Sequence, residues 1–244
     1  MKIRIKFRKY GTMKFIGHLD VMRYFQKAIR RADVDVCYSG GFSPHQIMSF
    51  AAPLGVGNTS NGEYVDIEVS STKDSETMKK CLNGVMSEGF EVVSYRGLPD
   101  DAANAMSIVG AGDYTLAFRP GYEPEDMDKE TWFQGLIAFF ERPSVMVTKK
   151  TKRGEKEMDL KPLVYELRIC PEGDGEMEGP RLFMKISAGS AANVKPEQVL
   201  DAYYGFLGKE RPPFAFMVQR EEVYADRASD AEKEAGIHSF ISLE

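Results

Sequence analysis

Residues that usually carry metal and redox chemistry are scarce in this chain. Among 244 residues there are three cysteines and three histidines. Cys37, Cys81 and Cys170 are far apart and form no CxxC pair, so neither a zinc ribbon nor a cysteine-held iron–sulfur cluster can be assembled locally. They read as small buried hydrophobes. No apolar run approaches the roughly 20 residues needed to cross a bilayer. The start, Met1 to Phe7, alternates charge and hydrophobe, the pattern of a strand and not of a signal peptide. A cytoplasmic protein without a membrane partner is expected. GxxxxGK[ST], GxGxxG, HExxH and GxSxG are all missing, which removes motif support for P-loop nucleotide, dinucleotide, zincin and hydrolase-elbow chemistry. Gly110-Ala111-Gly112 lacks a third glycine and precedes a strand, the wrong setting for a phosphate-binding turn. No metal and no cofactor is expected.

What the chain does have is an ordinary apolar fraction and an uneven charge. Hydrophobic residues make up 43% and aromatics 11%, enough to bury one large core or two small ones. The net charge is −5, yet Met1 to Arg31 holds ten basic residues and only one acidic residue, Asp20. Such segregation suits a polyanionic or acidic partner, and a solvated face is the plainer alternative.

Periodicity gives the element order. Ile3, Ile5 and Phe7 alternate with Lys2, Arg4, Lys6 and Arg8, which predicts a half-buried strand. A helix follows over about His18 to Ala32, with Met22, Phe25, Ile29 and Ala32 on one face and Arg23, Lys27, Arg30 and Arg31 on another. Strands at 46–51, 64–69 and 90–95 and a helix at 74–86 complete a β-α-β-β-α-β order. Residues 97–112 read as an inter-domain connection. A similar order then returns: a strand at 114–118, a helix at 125–141, a hairpin with the basic turn Lys149 to Lys156, strands at 164–169 and 182–186, a helix at 196–207 and a strand at 214–224. The expected fold is therefore α+β, with two tandem ferredoxin-like halves at 1–98 and 113–226 and a tail at 227–244.

The stretch from Lys9 to Gly57 concentrates the candidate chemistry. His18 and His45 can exchange protons near neutral pH, and His18 with Asp20 or His45 can act as metal ligands. Local hydrogen bonding is the plainer account of both. Gly40-Gly41-Phe42-Ser43-Pro44-His45 combines flexible glycines with a stiffening proline, so Gly40, Gly41, Ser43 and His45 can present polar groups to a phosphate or carboxylate. A plain turn is the alternative. Arg23, Lys27, Arg30 and Arg31 form a basic stripe whose arginines suit phosphate oxygens. Tyr10, Tyr38 and Phe42 lie near enough in sequence to stack bases. Asp159 beside the basic hairpin can order it by ion pairing.

These segments resemble the radical SAM-linked protein family that contains the DUF2344 domain. The features are Lys6-Phe7, Phe15-Ile16-Gly17-His18-Leu19-Asp20, Tyr38 to His45, Phe50 to Gly57, Gly62 to Ile67, Met158 to Pro162, and Lys195 to Leu200. Two positions depart from the pattern: Gly17 stands where a serine is usual, and Gln46 where a second proline is. The resemblance implies an accessory to a radical SAM partner with a cobalamin-binding domain, and no established reaction. The chain lacks the CxxxCxxC that holds a radical SAM cluster, so it is a partner of that chemistry and not its site. Tandem halves with a basic face also look like CRISPR RNA-processing endonucleases. Three readings follow. One is a non-catalytic module binding RNA or another polyanion. Another is a metal-independent endoribonuclease using His18 or His45. The third is a protein–protein adaptor for the radical SAM protein.

Overall fold

A computed structural model describes residues 1–151, 154–170, 173, 177–189 and 192–244. Lys152 and Arg153 of the expected basic turn fall outside the described residues, as do residues 171–172, 174–176 and 190–191 and the side chains of 149–151 and 156. The chain is mixed α/β with mostly antiparallel strand pairing. It divides into two compact units: Met1–Gly110 with Arg220–Arg227 and Ser239–Glu244, and Ala111–Gln219 with Ala228–His238. The segment expected to be a separate tail is thus shared between them.

The first unit contains β1 (Lys2–Lys9), a 3-10 turn (Gly11–Phe15), α1 (His18–Arg31), β2 (Met48–Phe50), β3 (Thr59–Glu68), α2 (Ser75–Asn83), β4 (Phe90–Leu98) and α3 (Ala105–Ile108). β1 pairs antiparallel with both β3 and β4, and the short β2 pairs with β3. The alternation read from β1 holds on its apolar side: Ile3, Ile5 and Phe7 are buried with Phe25, Ile29, Val65, Ile67, Leu82 and Val92. α1 turns Val21, Phe25, Ala28 and Ile29 into this core. Met22, expected there, is only half-buried. Asp74 caps α2 by accepting from Thr77 N, and the helix stops at Asn83, short of Met86. The expected connection is not a plain linker. β4 runs to Leu98, and Asn104 caps α3 by accepting from Met106 N.

The chain continues with β5 (Val109–Phe118), α4 (Lys129–Phe140), β6 (Met146–Thr151), β7 (Gly154–Asp159), β8 (Val164–Cys170), β9 (Arg181–Ser187), α5 (Pro196–Phe206), β10 (Phe216–Asp226), α6 (Asp230–Glu234) and β11 (Phe240–Ser242). The unit boundaries fall inside β5 and β10, and β11 pairs with β10 in the first unit. β5 pairs with β9 and β9 with β8, all antiparallel. Leu116, Phe118, Trp132, Phe133, Leu136, Met184, Leu200 and Tyr203 make the core of the second unit. α4 begins only at Lys129, because Asp128 caps it by accepting from Thr131 N. Pro196 opens α5, where its missing N–H costs nothing. The three cysteines are free and half-buried, so the reading of them as fully buried hydrophobes is corrected.

Candidate functional site

The basic N-terminal segment is largely neutralised from within the first unit. On the side of β1 expected to face water, Arg4 forks onto Asp66 at 2.8 and 2.9 Å and also donates to the Leu243 carbonyl at 3.2 Å. Lys6 bonds Glu222 and Glu244, each at 2.8 Å, and Tyr64 donates to Glu222 at 2.6 Å. Burial works to lower the Lys6 pKa. Hydrogen bonds to the two glutamates outweigh it and hold the amine above its ordinary range. The Tyr64 phenol is pushed up, by burial first and by Glu222 second. Arg8 pairs with Glu91, and Lys2 donates to the Ala102 carbonyl.

What stays outward is on α1. Arg23, Lys27, Arg30 and Arg31 are all exposed and spaced to share one face. Arg23 pairs with Asp20 at 3.2 Å, a contact worth little in water. Arg31 donates to the Val85 carbonyl at 3.0 Å and lies over the Tyr24 ring. Among the described residues the side chains of Lys27 and Arg30 have no hydrogen-bond or ion-pair partner. Arg30 and Arg31 also complement the negative C-terminal end of the helix.

The Gly40–His45 loop is a closed turn. Tyr38 and Gln46 form an isolated antiparallel bridge. Just inside it, Ser39 N donates to the His45 carbonyl at 2.8 Å. Ser39 Oγ lies 2.8 Å from His45 Nδ1 and accepts from His45 N at 3.1 Å. His45 therefore locks the base of the loop. Gly40, Gly41, Phe42, Ser43 and Pro44 are all exposed, and Phe42 is entirely in solvent. Gly41 adopts φ +99°, a conformation glycine tolerates and most residues do not. Gln46 is buried and donates its amide to the Gln26 carbonyl at 3.2 Å. That bond ties the loop to the middle of α1.

His18 is elsewhere. It opens α1, eight positions before Gln26, or about 12 Å along a helix. Its ring packs edge-on against Phe50 at 5.3 Å. No hydrogen bond joins His18 to His45 among the described residues. Nor does any group of three or more His, Cys, Asp or Glu there have a metal-holding arrangement. His18 instead borders a void of about 10 Å³ with Lys9 and Glu63, room for a single water.

Sequence reasoning missed the buried charges around that void. Lys9 is 2% exposed and donates to the Ile16 carbonyl at 3.0 Å. Burial lowers its pKa, Arg220 adds to that and Glu63 opposes it. Arg220 forks onto Glu63 and donates to the Ala52 carbonyl at 2.7 Å. One signal was available for Lys9: it shares the odd-numbered parity of Ile3, Ile5 and Phe7, the core side of β1.

This geometry defines a mixed α/β protein with an outward basic helix face and an anchored, aromatic-tipped loop. It carries no assembled catalytic pair among the residues proposed for one. Residues 2–196 match the family described as an uncharacterised protein conserved in bacteria (DUF2344), and the chain belongs to that family. No match is found among curated proteins. No described helix is long and apolar enough to cross a membrane.

Proposed function

We propose that this chain is a non-catalytic module that binds RNA, or a similar polyanion, through the outer face of α1 and the Gly40–His45 loop. The observation that carries the reading is selective exposure. Most cations of β1 are paired within the first unit, whereas the side chains of Lys27 and Arg30 have no partner among the described residues and Phe42 projects fully into water. Uncompensated cations and an exposed ring are the parts single-stranded nucleic acid uses: phosphate neutralisation and base stacking. Arg23, Arg31, Gly40, Gly41 and Ser43 complete the surface, and His45 holds the loop in shape. Separation of His18 from His45 favours binding over ribonuclease chemistry by that pair.

Two finer proposals accompany this one. Each unit is read as ferredoxin-like. The first has neighbours in the order β4-β1-β3-β2, and the second has β5-β9-β8 with the start of β10 beside β5. That order supports the reading. The family resemblance supports a radical SAM protein as the partner such a cytoplasmic module would serve.

Fluorescence anisotropy with a labelled single-stranded RNA, titrated at several salt concentrations, tests the binding. Affinity is expected to fall steeply with salt. A Lys27→Ala/Arg30→Ala double variant is expected to bind more weakly, with a salt slope reduced by roughly two phosphate contacts. Absence of binding at low salt, or an unchanged double variant, would overturn the proposal. A pull-down of the radical SAM protein after ribonuclease treatment tests the partner separately.

A further inference from the structure

The first unit holds a cavity of about 260 Å³ on its sheet. Ile3, Ile5 and Ile67 pack with Phe25, Ile29 and Leu82 of the helices, so alternation sends Lys2, Asp66 and Glu68 to the opposite face. There they line the cavity with Ser49 and Asn104, and Ile47 supplies an apolar side. The binding surface described above uses none of these residues.

Lys2, Asp66 and Glu68 are the charged side chains of the lining, and their partners differ. Asp66 is already filled: it accepts from Arg4 at 2.8 and 2.9 Å and from Ala105 N at 2.7 Å. Lys2 and Glu68 stand directly opposite each other on β1 and β3, where side chains are near enough to meet. They form no ion pair. Lys2 donates instead to the Ala102 carbonyl at 2.8 Å, leaving further protons to give. The Glu68 carboxylate has no hydrogen-bond or ion-pair partner among the described residues. Asn104 Oδ1 accepts from Ser49 Oγ at 2.9 Å and from Met106 N at 3.0 Å, so the NH2 group is its unused end.

We propose that this cavity binds a free α-amino acid, with the ligand ammonium on Glu68 and its carboxylate on Lys2 and the Asn104 amide. One cavity presents a cation and a carboxylate that do not satisfy each other, and a zwitterion satisfies both with charge-assisted hydrogen bonds. A simple cation would meet Lys2 and a simple anion would meet Glu68, each a like charge. The lining is neutral overall, since Arg4 cancels Asp66 and Lys2 balances Glu68. Size agrees: 260 Å³ lies below the roughly 300–1,000 Å³ of sites for drug-sized molecules. Ile47 favours an apolar ligand side chain.

The experiment is thermal unfolding of the full-length protein with each common α-amino acid in turn at millimolar concentration, followed by calorimetric titration of the best one. At least one apolar amino acid is expected to raise the melting temperature, as any ligand of the folded state alone does. Its decarboxylated amine and its deaminated acid are expected to bind at least about tenfold more weakly. Glu68→Gln and Lys2→Met are each expected to weaken binding about tenfold to a hundredfold, the effect of a lost charged hydrogen bond. The two variants lie on different strands, and their melting temperatures without ligand show that each is folded. No stabilisation by any amino acid, equal binding of the amine or the acid, or affinity unchanged in either folded variant would overturn the proposal. So would RNA affinity that falls in both variants, which would assign Lys2 and Glu68 to the RNA surface.

Discussion

Arg220 and Glu63 meet inside the first unit, where the guanidinium Nε donates to Glu63 Oε1 at 2.7 Å and Nη2 donates to the other carboxylate oxygen. Only 2% and 7% of the two side chains reach solvent. A planar, two-pronged pair is the geometry in which attraction best offsets the cost of taking both charges out of water. Lys9, also buried, adds a second cation beside the same carboxylate.

Removing that carboxylate should therefore be severe. Glu63→Gln leaves Arg220 and Lys9 without their counter-charge and is expected to cost about 3–5 kcal/mol of stability. An Arg220→Met/Glu63→Leu double variant should lose much less than Arg220→Met and Glu63→Leu combined. Urea unfolding of the three variants measures this, and additive losses would contradict the coupling.

Phe42 has the opposite character. It touches solvent on all sides, so Phe42→Ala should change stability by less than about 0.5 kcal/mol. If the ring stacks on a base, the same change lowers RNA affinity by about 1–3 kcal/mol. Thermal unfolding and RNA anisotropy on one preparation separate the two effects.

The loop's anchor is expected to matter through mobility. Gln46→Leu deletes the bond to the Gln26 carbonyl, at a cost of about 1 kcal/mol. Amide hydrogen exchange over 38–46 should speed up while the α2 and β4 amides stay protected. Uniform protection in that variant would mean the loop is held by Ser39 and His45 alone.

Asp159 links hairpin stability to pH. Burial works to raise its pKa, but the N–H groups of Val145 and Lys161 outweigh it and hold the carboxyl below its ordinary range. A lowered folded value means stability that is present above the unfolded pKa of about 4 and is lost as pH falls through the folded one. Asp159→Ala should cost about 1–2 kcal/mol at pH 7 and progressively less towards pH 2, read from urea unfolding at both ends. A cost independent of pH would assign the effect to packing.

Legibility followed the range of the forces involved. The core side of β1, the two faces of α1 and the proline start of α5 were readable because each depends on neighbours within a few residues. The exposed Gly40–Pro44 stretch was readable for the same reason: paired glycines, serine and proline favour a turn regardless of context. The lock between Ser39 and His45 was not, although six positions separate them, because a donor–acceptor match needs the turn's closed geometry. The start of α4 was misjudged where Asp128 caps it, since the cap acts through side-chain bonds that hydrophobic period does not register.

By itself, then, the sequence determined where the longer strands and helices lie and that the N-terminal segment is rich in cations, because local periodicity and composition suffice for both. Which of those cations are free was decided only by the tertiary structure. Arg4 is quenched by Asp66, and Lys6 by Glu222 and Glu244, partners 62 to 238 positions away. Lys27 and Arg30 receive no such partner among the described residues. A charge count cannot distinguish the two cases, since the attraction that silences a cation depends on distance in space, and only folding brings the distant carboxylates to β1.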